Sequence, residues 1–157
     1  MLRVRLDTAL VMATDACERF GMPLILLGFR LYLFRIFFFS GLVKAGKPFP
    51  DLVEDFRSLY FYGYDHLPVA ALAGAGMATE LGCGALLMSG LFARAAAVPL
   101  FVSTLIIQFA ARNEYGGNYY TVDHYGWMLA LLLVAVAGPG RLSLDQLLHR
   151  RLAANYG

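Results

Sequence analysis

Among the ionisable side chains that interrupt the long apolar runs of this sequence, Arg30, Arg35, Lys44, Glu80 and His124 could do chemistry. A charge at the centre of a membrane helix costs about 2.5–3.5 kcal/mol on insertion scales, so such residues pair, line a wet cavity or mark a functional site. Glu80 is the most constrained. A short carboxylate cannot reach a headgroup from the middle of its run, so it either meets a cation as a buried ion pair or holds its proton. Gly76 and Gly84 flank it at i−4 and i+4. Small residues on one face admit a neighbouring helix, so Glu80 is expected to face another helix, with Arg30 or Arg35 as partner. Arg30 shares a helical face with Phe37, Gly41 and Lys44, while Arg35 lies about 140° away at 100° per residue. One arginine can thus face inward while the other snorkels; a long side chain could also carry Arg30 to the headgroups. His124 follows Asp123 and precedes Trp127 by one turn. An imidazole there could bond a quinone carbonyl, relay a proton, bind metal or sit at the interface as an ordinary polar residue.

Other polar residues carry weaker signals. Thr104, Gln108 and Arg112 form one stripe, with Ser103 beside it, a pattern usual for helix–helix hydrogen bonds. His66 is expected at the same membrane end as His124, but nothing around the two specifies haem. Cys17 and Cys83 fall at different expected depths, which argues against a disulfide. No C-x-x-C, zinc motif or phosphate-binding glycine loop occurs, so no metal site and no covalently bound cofactor is expected.

Four apolar segments must position these groups: about 22–45, 67–92, 93–111 and 119–137. Hydrophobic residues make up 59% of the 157, charged residues only 15%, and mean hydropathy is +0.61. A soluble domain carries about 45–50% apolar and about 25% charged residues. Each segment is near the ~20 residues needed to cross ~30 Å of hydrocarbon, and an open sheet would leave unpaired edges in lipid. The sequence therefore predicts an all-α protein: one integral membrane domain over residues 1–157, a four-transmembrane-helix bundle of up-down order with short interfacial helices. The net charge of +2 gives no ground for a nucleic-acid partner. Membrane lipids are the expected surroundings.

Three short helices flank the spans. Leu6, Ala9, Leu10 and Ala13 make an apolar stripe before the first span, and the stretch lacks the features of a cleaved signal peptide. Pro50 suits the first turn of a helix over 50–59. After Gly138, Pro139 and Gly140, Ser143 reads as an N-cap with Gln146 three residues on and Asp145 in the first turn. Leu144, Leu147, Leu148 and Leu152 form the stripe of a helix over about 144–154.

The segment from Arg30 to Lys44, with Ser40-Gly41-x-x-Lys44, resembles the first span of DoxX-family membrane proteins. Glu80, its glycine-rich run and Gly90-Leu-x-x-Arg94 resemble the second-span signature, and Gly138-Pro-Gly-Arg141-Leu-Ser143-Leu-Asp145 the family's ending. Arg35 departs from the pattern, and the tyrosine-rich loops are longer than usual. The resemblance implies a bacterial inner-membrane protein with both termini cytoplasmic. It also implies an accessory subunit of a redox or respiratory-type assembly, with other membrane or periplasmic subunits as partners and quinone as the ligand of a polar pocket. Whether the chain is itself an enzyme is left open. The other reading is a structural or assembly protein, its charges clamping the helices and its aromatic loops docking partners.

Charge predicts the orientation independently. Arg3, Arg5, Arg19, Arg94, Arg141, Arg150 and Arg151 fall on the side of the termini; Lys44, Lys47, Arg57 and Arg112 fall on the other. Positive-inside bias puts the termini in the cytoplasm. Tyr60, Tyr62, Tyr64, Tyr115, Tyr119, Tyr120 and Tyr125 gather at the opposite face as an aromatic belt. With Cys17 and Cys83 replaced by serine, Gly117→Cys should react with an impermeant maleimide in intact cells and Arg94→Cys should not. The reverse pattern would contradict this orientation.

Overall fold

A computed structural model of the protein describes residues 11–12, 14–15, 17–111, 113 and 121–156. The Leu6–Ala13 stripe, Arg112 and most of the loop before the last apolar helix lie outside them. The described residues are all-α: a short π-helical turn, Cys17–Gly21, then α1 (Met22–Ala45), α2 (Phe49–Leu59), α3 (Val69–Ser89), α4 (Ala93–Phe109), α5 (Val122–Ala137) and α6 (Leu144–Tyr156). Helices α1 and α3 are long and apolar enough to cross a membrane, and α4 and α5 are shorter apolar helices. In the most apolar stretches of α1 and α3 only 28% and 17% of residues are buried. The core helix of a soluble protein would be mostly covered, so the outward faces of these helices suit hydrocarbon.

Local chemistry sets the helix ends. Pro23 opens α1, and Pro50 stands in the first turn of α2, where a missing N–H costs nothing. Helix α3 stops at Gly90, whose left-handed φ of 68° lets its N–H cap the Leu86 and Leu87 carbonyls. Helix α5 stops at Gly138, with φ 86° and ψ −174°, a region open almost only to glycine. Ser143 caps α6 as its sequence predicts, its Oγ accepting the Gln146 N–H at 3.2 Å.

Helix α1 packs on α3, α3 on α4, α4 on α5, and α5 back on α1. Leu33, Phe37, Leu87, Leu100, Leu131 and Val134 fill the centre, and Ala93, Ala96 and Ala97 let α4 approach closely. The α1–α3 register is set by glycine. A Cβ on Gly41 would lie 2.8 Å from the Leu81 Cγ and 3.0 Å from its backbone nitrogen, and one on Gly84 would lie 3.1 Å from the Phe38 nitrogen. With 41 beside 81 and 84 beside 38, the first two turns or so of α3 run past the end of α1.

That overhang is covered by α2. Leu52 and Phe56, one turn apart, bury against Val69 and Ala73. Phe56 also lies over Gly76, within 3.2 Å of where its Cβ would stand. The segment expected to rest on the membrane surface packs as a cover on the first half of α3. Its apolar pair is too large to leave exposed while a bare helix face stands beside it.

The glycine register has a direct test. Gly41→Ala should destabilise the protein by about 1–3 kcal/mol, because backbone as well as side chain must shift. Gly82, with nothing within 4 Å of its Cβ position, should tolerate alanine or gain up to about 1 kcal/mol. Thermal unfolding in detergent would compare them; equal behaviour would show that Gly41 does not set the register.

Candidate functional site

Glu80 meets a lysine, not an arginine. The Lys44 ammonium lies 2.5 Å from Oε1 and 2.6 Å from Oε2 of Glu80, and donates to the Ser40 hydroxyl at 3.0 Å. Both charged side chains are largely buried, at 14% and 13% exposure, and the ammonium lies 5.8 Å from the Phe56 ring centroid. Matching the two helices as if their ends were level places Glu80 opposite residues 32–33 of α1. The overhang of α3 removes that assumption and brings Glu80 beside the last turn of α1. The expected pairing of Glu80 with Arg30 or Arg35 is therefore overturned.

Arg30 has another task. It is 1% exposed, so it does not snorkel. Its Nε donates to the Leu87 carbonyl at 2.9 Å and its Nη2 to Met88 at 3.0 Å. Its Nη1 donates to the carbonyls of Pro139 and Leu142, each at 2.8 Å. Two of these acceptors belong to the last turn of α3, which carries the negative end of the helix dipole; Leu87 also accepts the Gly90 N–H. The planar fork of arginine fits this divergent set, and a lysine could not span it. Arg94 works similarly at longer range, donating to the Ala137 carbonyl at 3.3 Å. Arg35 is exposed on α1, with no ion pair among the described residues. Asp145 accepts the Phe92 N–H at 3.0 Å and so ties α6 to the turn before α4.

Across the ring from Lys44, His124 in the first turn of α5 is buried. Its Nδ1 lies 2.7 Å from Gln108 Oε1 on α4, which also accepts the Thr121 N–H at 3.3 Å. Because the amide oxygen already accepts from backbone, the ring nitrogen facing it must donate. Neutral His124 thus carries its proton on Nδ1 and its lone pair on Nε2. Gln108 does bond between helices, as its stripe predicts, whereas Thr104 turns back on its own helix, donating to the Leu100 carbonyl at 2.8 Å. The Trp127 ring lies beside His124, tilted, with centroids 5.0 Å apart, and meets Phe37 edge-on.

These groups share a cavity of about 220 Å³, lined by Ser40, Lys44, Tyr60, Glu80, Thr104, His124 and Trp127. Of the five residues singled out by sequence, Lys44, Glu80 and His124 come together here, and Arg30 and Arg35 do not. A second, mostly apolar cavity of about 350 Å³ lies on the other side of Glu80, between α2, α3 and α4. Its lining includes Phe56, Leu72, Ala75, Gly76, Thr79, Ser103 and Ile106, and it shares Tyr60, Glu80 and Ile107 with the first. Ala75 and Ile106 are exposed on the outer surface. Tyr60 and Phe56 were not expected as site residues; only the overhang brings α2 over the pair, and spacing along the chain does not show it.

The arrangement offers a cation, a carboxylate and an imidazole around one small polar space, beside an apolar slot that reaches the outer surface. The family model for DoxX matches residues 25–113. That is more than half of the chain, and the protein belongs to the DoxX family. The matched region contains Arg30, Gly41, Lys44, Glu80, Gly90 and Arg94, and ends before Gly138 and Asp145. No curated protein and no solved structure matches the chain.

The ion pair predicts an asymmetry. Glu80→Gln leaves a largely buried ammonium without its counter-charge and should cost about 3 kcal/mol, whereas Lys44→Met with Glu80→Met together should cost much less. Thermal unfolding in detergent, read as a double-mutant cycle, would show no coupling if the pair contributes nothing.

Proposed function

We propose that this DoxX-family protein is an accessory subunit of a redox or respiratory-type assembly in the bacterial inner membrane, and that it holds a quinone in the double cavity at Glu80. In this reading α1, α3, α4 and α5 each cross the bilayer as a four-helix bundle, with both termini cytoplasmic. The 17 and 16 residues of α4 and α5 rise about 24–26 Å. That is a modest mismatch with ~30 Å of hydrocarbon, met by local thinning or flanking residues.

The observation that carries the reading is the junction of the two cavities. A quinone has a polar head with two carbonyl acceptors and an apolar tail. The Lys44 ammonium offers a donor from one wall and Glu80 a proton acceptor beside it, with His124 lining the same space. The slot between α3 and α4 has the shape and polarity for a tail entering from lipid. No redox motif is present in the sequence, so electrons would come from a partner subunit.

The structural reading also has support, at one residue. Arg30 bonds backbone carbonyls alone among the described residues, which is what a clamp does. The two roles occupy opposite halves of α1 and do not conflict.

Trp127 is the single tryptophan of the chain and lines the polar cavity. A short-tailed quinone titrated into the detergent-solubilised protein should quench its fluorescence saturably. Thr79→Leu, which fills the apolar slot, should weaken binding about tenfold while leaving helical content unchanged. Quenching that is linear, and equal in both proteins, would mean partition into detergent and would overturn the quinone site.

A further inference from the structure

At the other end of α1, three arginines from three separate segments surround one cleft. Arg19 comes from the π-helical turn, Arg141 from the connection after α5, and Arg150 from α6; together they line a space of about 340 Å³. Among the described residues no carboxylate lines it. The remaining walls are apolar, formed by Phe20, Leu24 and Leu142 among others, and all three of these side chains are exposed.

Arg141 is held in place from within. The carbonyls of Pro139 and Leu142, on either side of it, both accept from the buried Arg30 guanidinium at 2.8 Å. Next to it, Gly140 has a left-handed φ of 77° and lies close against Leu26, so a side chain there would be strained. The Arg141 backbone is thus fixed to the ends of α1 and α3, although its side chain is exposed. Arg141 also lines a neighbouring open cleft of about 690 Å³ with Arg94 and His149. The acid in that second cleft, Asp145, already accepts the Phe92 N–H.

We propose that this cleft binds the headgroup of an anionic phospholipid, with the phosphodiester among Arg19, Arg141 and Arg150 and the start of an acyl chain on Phe20, Leu24 and Leu142. Three like charges lining one cleft, with no carboxylate among its described lining residues, repel one another, and an anion between them removes that repulsion. Guanidinium forks match the paired oxygens of a phosphate. The apolar wall distinguishes a lipid from free phosphate, which would leave it bare. The inference rests on the chain crossing a bilayer, as proposed above, and is independent of what occupies the Glu80 cavities.

Thermal stability in detergent, with added lipid, tests it. Phosphatidylglycerol should raise Tm by several degrees in a saturable way; phosphatidylcholine and inorganic phosphate should not. Arg19→Gln with Arg150→Gln should weaken the phosphatidylglycerol effect at least tenfold. Lys47→Gln with Arg57→Gln, a matched loss of charge at the other end, should leave it intact. Should the first pair fail to fold, Arg141→Gln alone should show the same loss. Equal stabilisation by phosphatidylcholine, or equal loss in both double variants, would overturn the site. Stabilisation by inorganic phosphate alone would overturn the lipid assignment. Failure of the membrane reading itself would appear separately, as reversed or absent topology in the maleimide labelling.

Discussion

Away from water a polar group must find its partner inside the protein, and this chain is organised by that requirement. Among the described residues, no buried side-chain nitrogen or oxygen lacks a hydrogen-bond partner. The requirement is met differently at the two ends of α1. At one end Arg30 collects four backbone carbonyls, of which Leu87 also accepts the Gly90 N–H. At the other, Lys44 and Glu80 neutralise each other under the cover of α2. Between them lies a dry contact of leucine, phenylalanine and alanine. The arginine interaction closes the structure, because it joins the end of α3 to the turn that launches α6. The lysine interaction leaves space beside it and so can serve a ligand.

The glycines connect these two ends. Gly41 and Gly84 bring α1 and α3 into backbone contact, which fixes how far one helix slides along the other. From that register follow the overhang of α3, the burial of Leu52 and Phe56 over it, and the presence of Tyr60 at the cavity. A bulkier residue at either glycine would move the helices apart or along each other, and Lys44 would no longer stand beside Glu80. Packing in the middle of α1 thereby governs the chemistry at its end.

Much of this was legible in the sequence. Long apolar runs gave the helices, with α1 as expected and the others within a few residues, because Gly90 and Gly138 end their helices by backbone geometry alone. Gly76 and Gly84 announced that Glu80 faces protein, and Ser143 announced the cap of α6. The partner of Glu80 was not legible. Three cations stood on α1, and choosing among them required the axial offset of two helices, which depends on how glycine contacts interlock in three dimensions. Arg30 misled for a related reason. A buried arginine suggests a carboxylate, yet helix termini offer acceptors that sequence patterns do not display. His124 and Gln108 were each visible as polar residues near one membrane end, but their pairing depends on the rotation of α4 against α5.

The central claim is that Lys44 and Glu80 form a direct ion pair within the helical ring. Solid-state NMR of the protein in lipid bilayers reads this without mutation, by dipolar recoupling between the Lys44 side-chain nitrogen and the Glu80 carboxyl carbon. The structure predicts strong dephasing from direct contact, with the carboxyl carbon at the chemical shift of an ionised acid. No measurable dephasing, together with the shift of a protonated carboxyl, would contradict it.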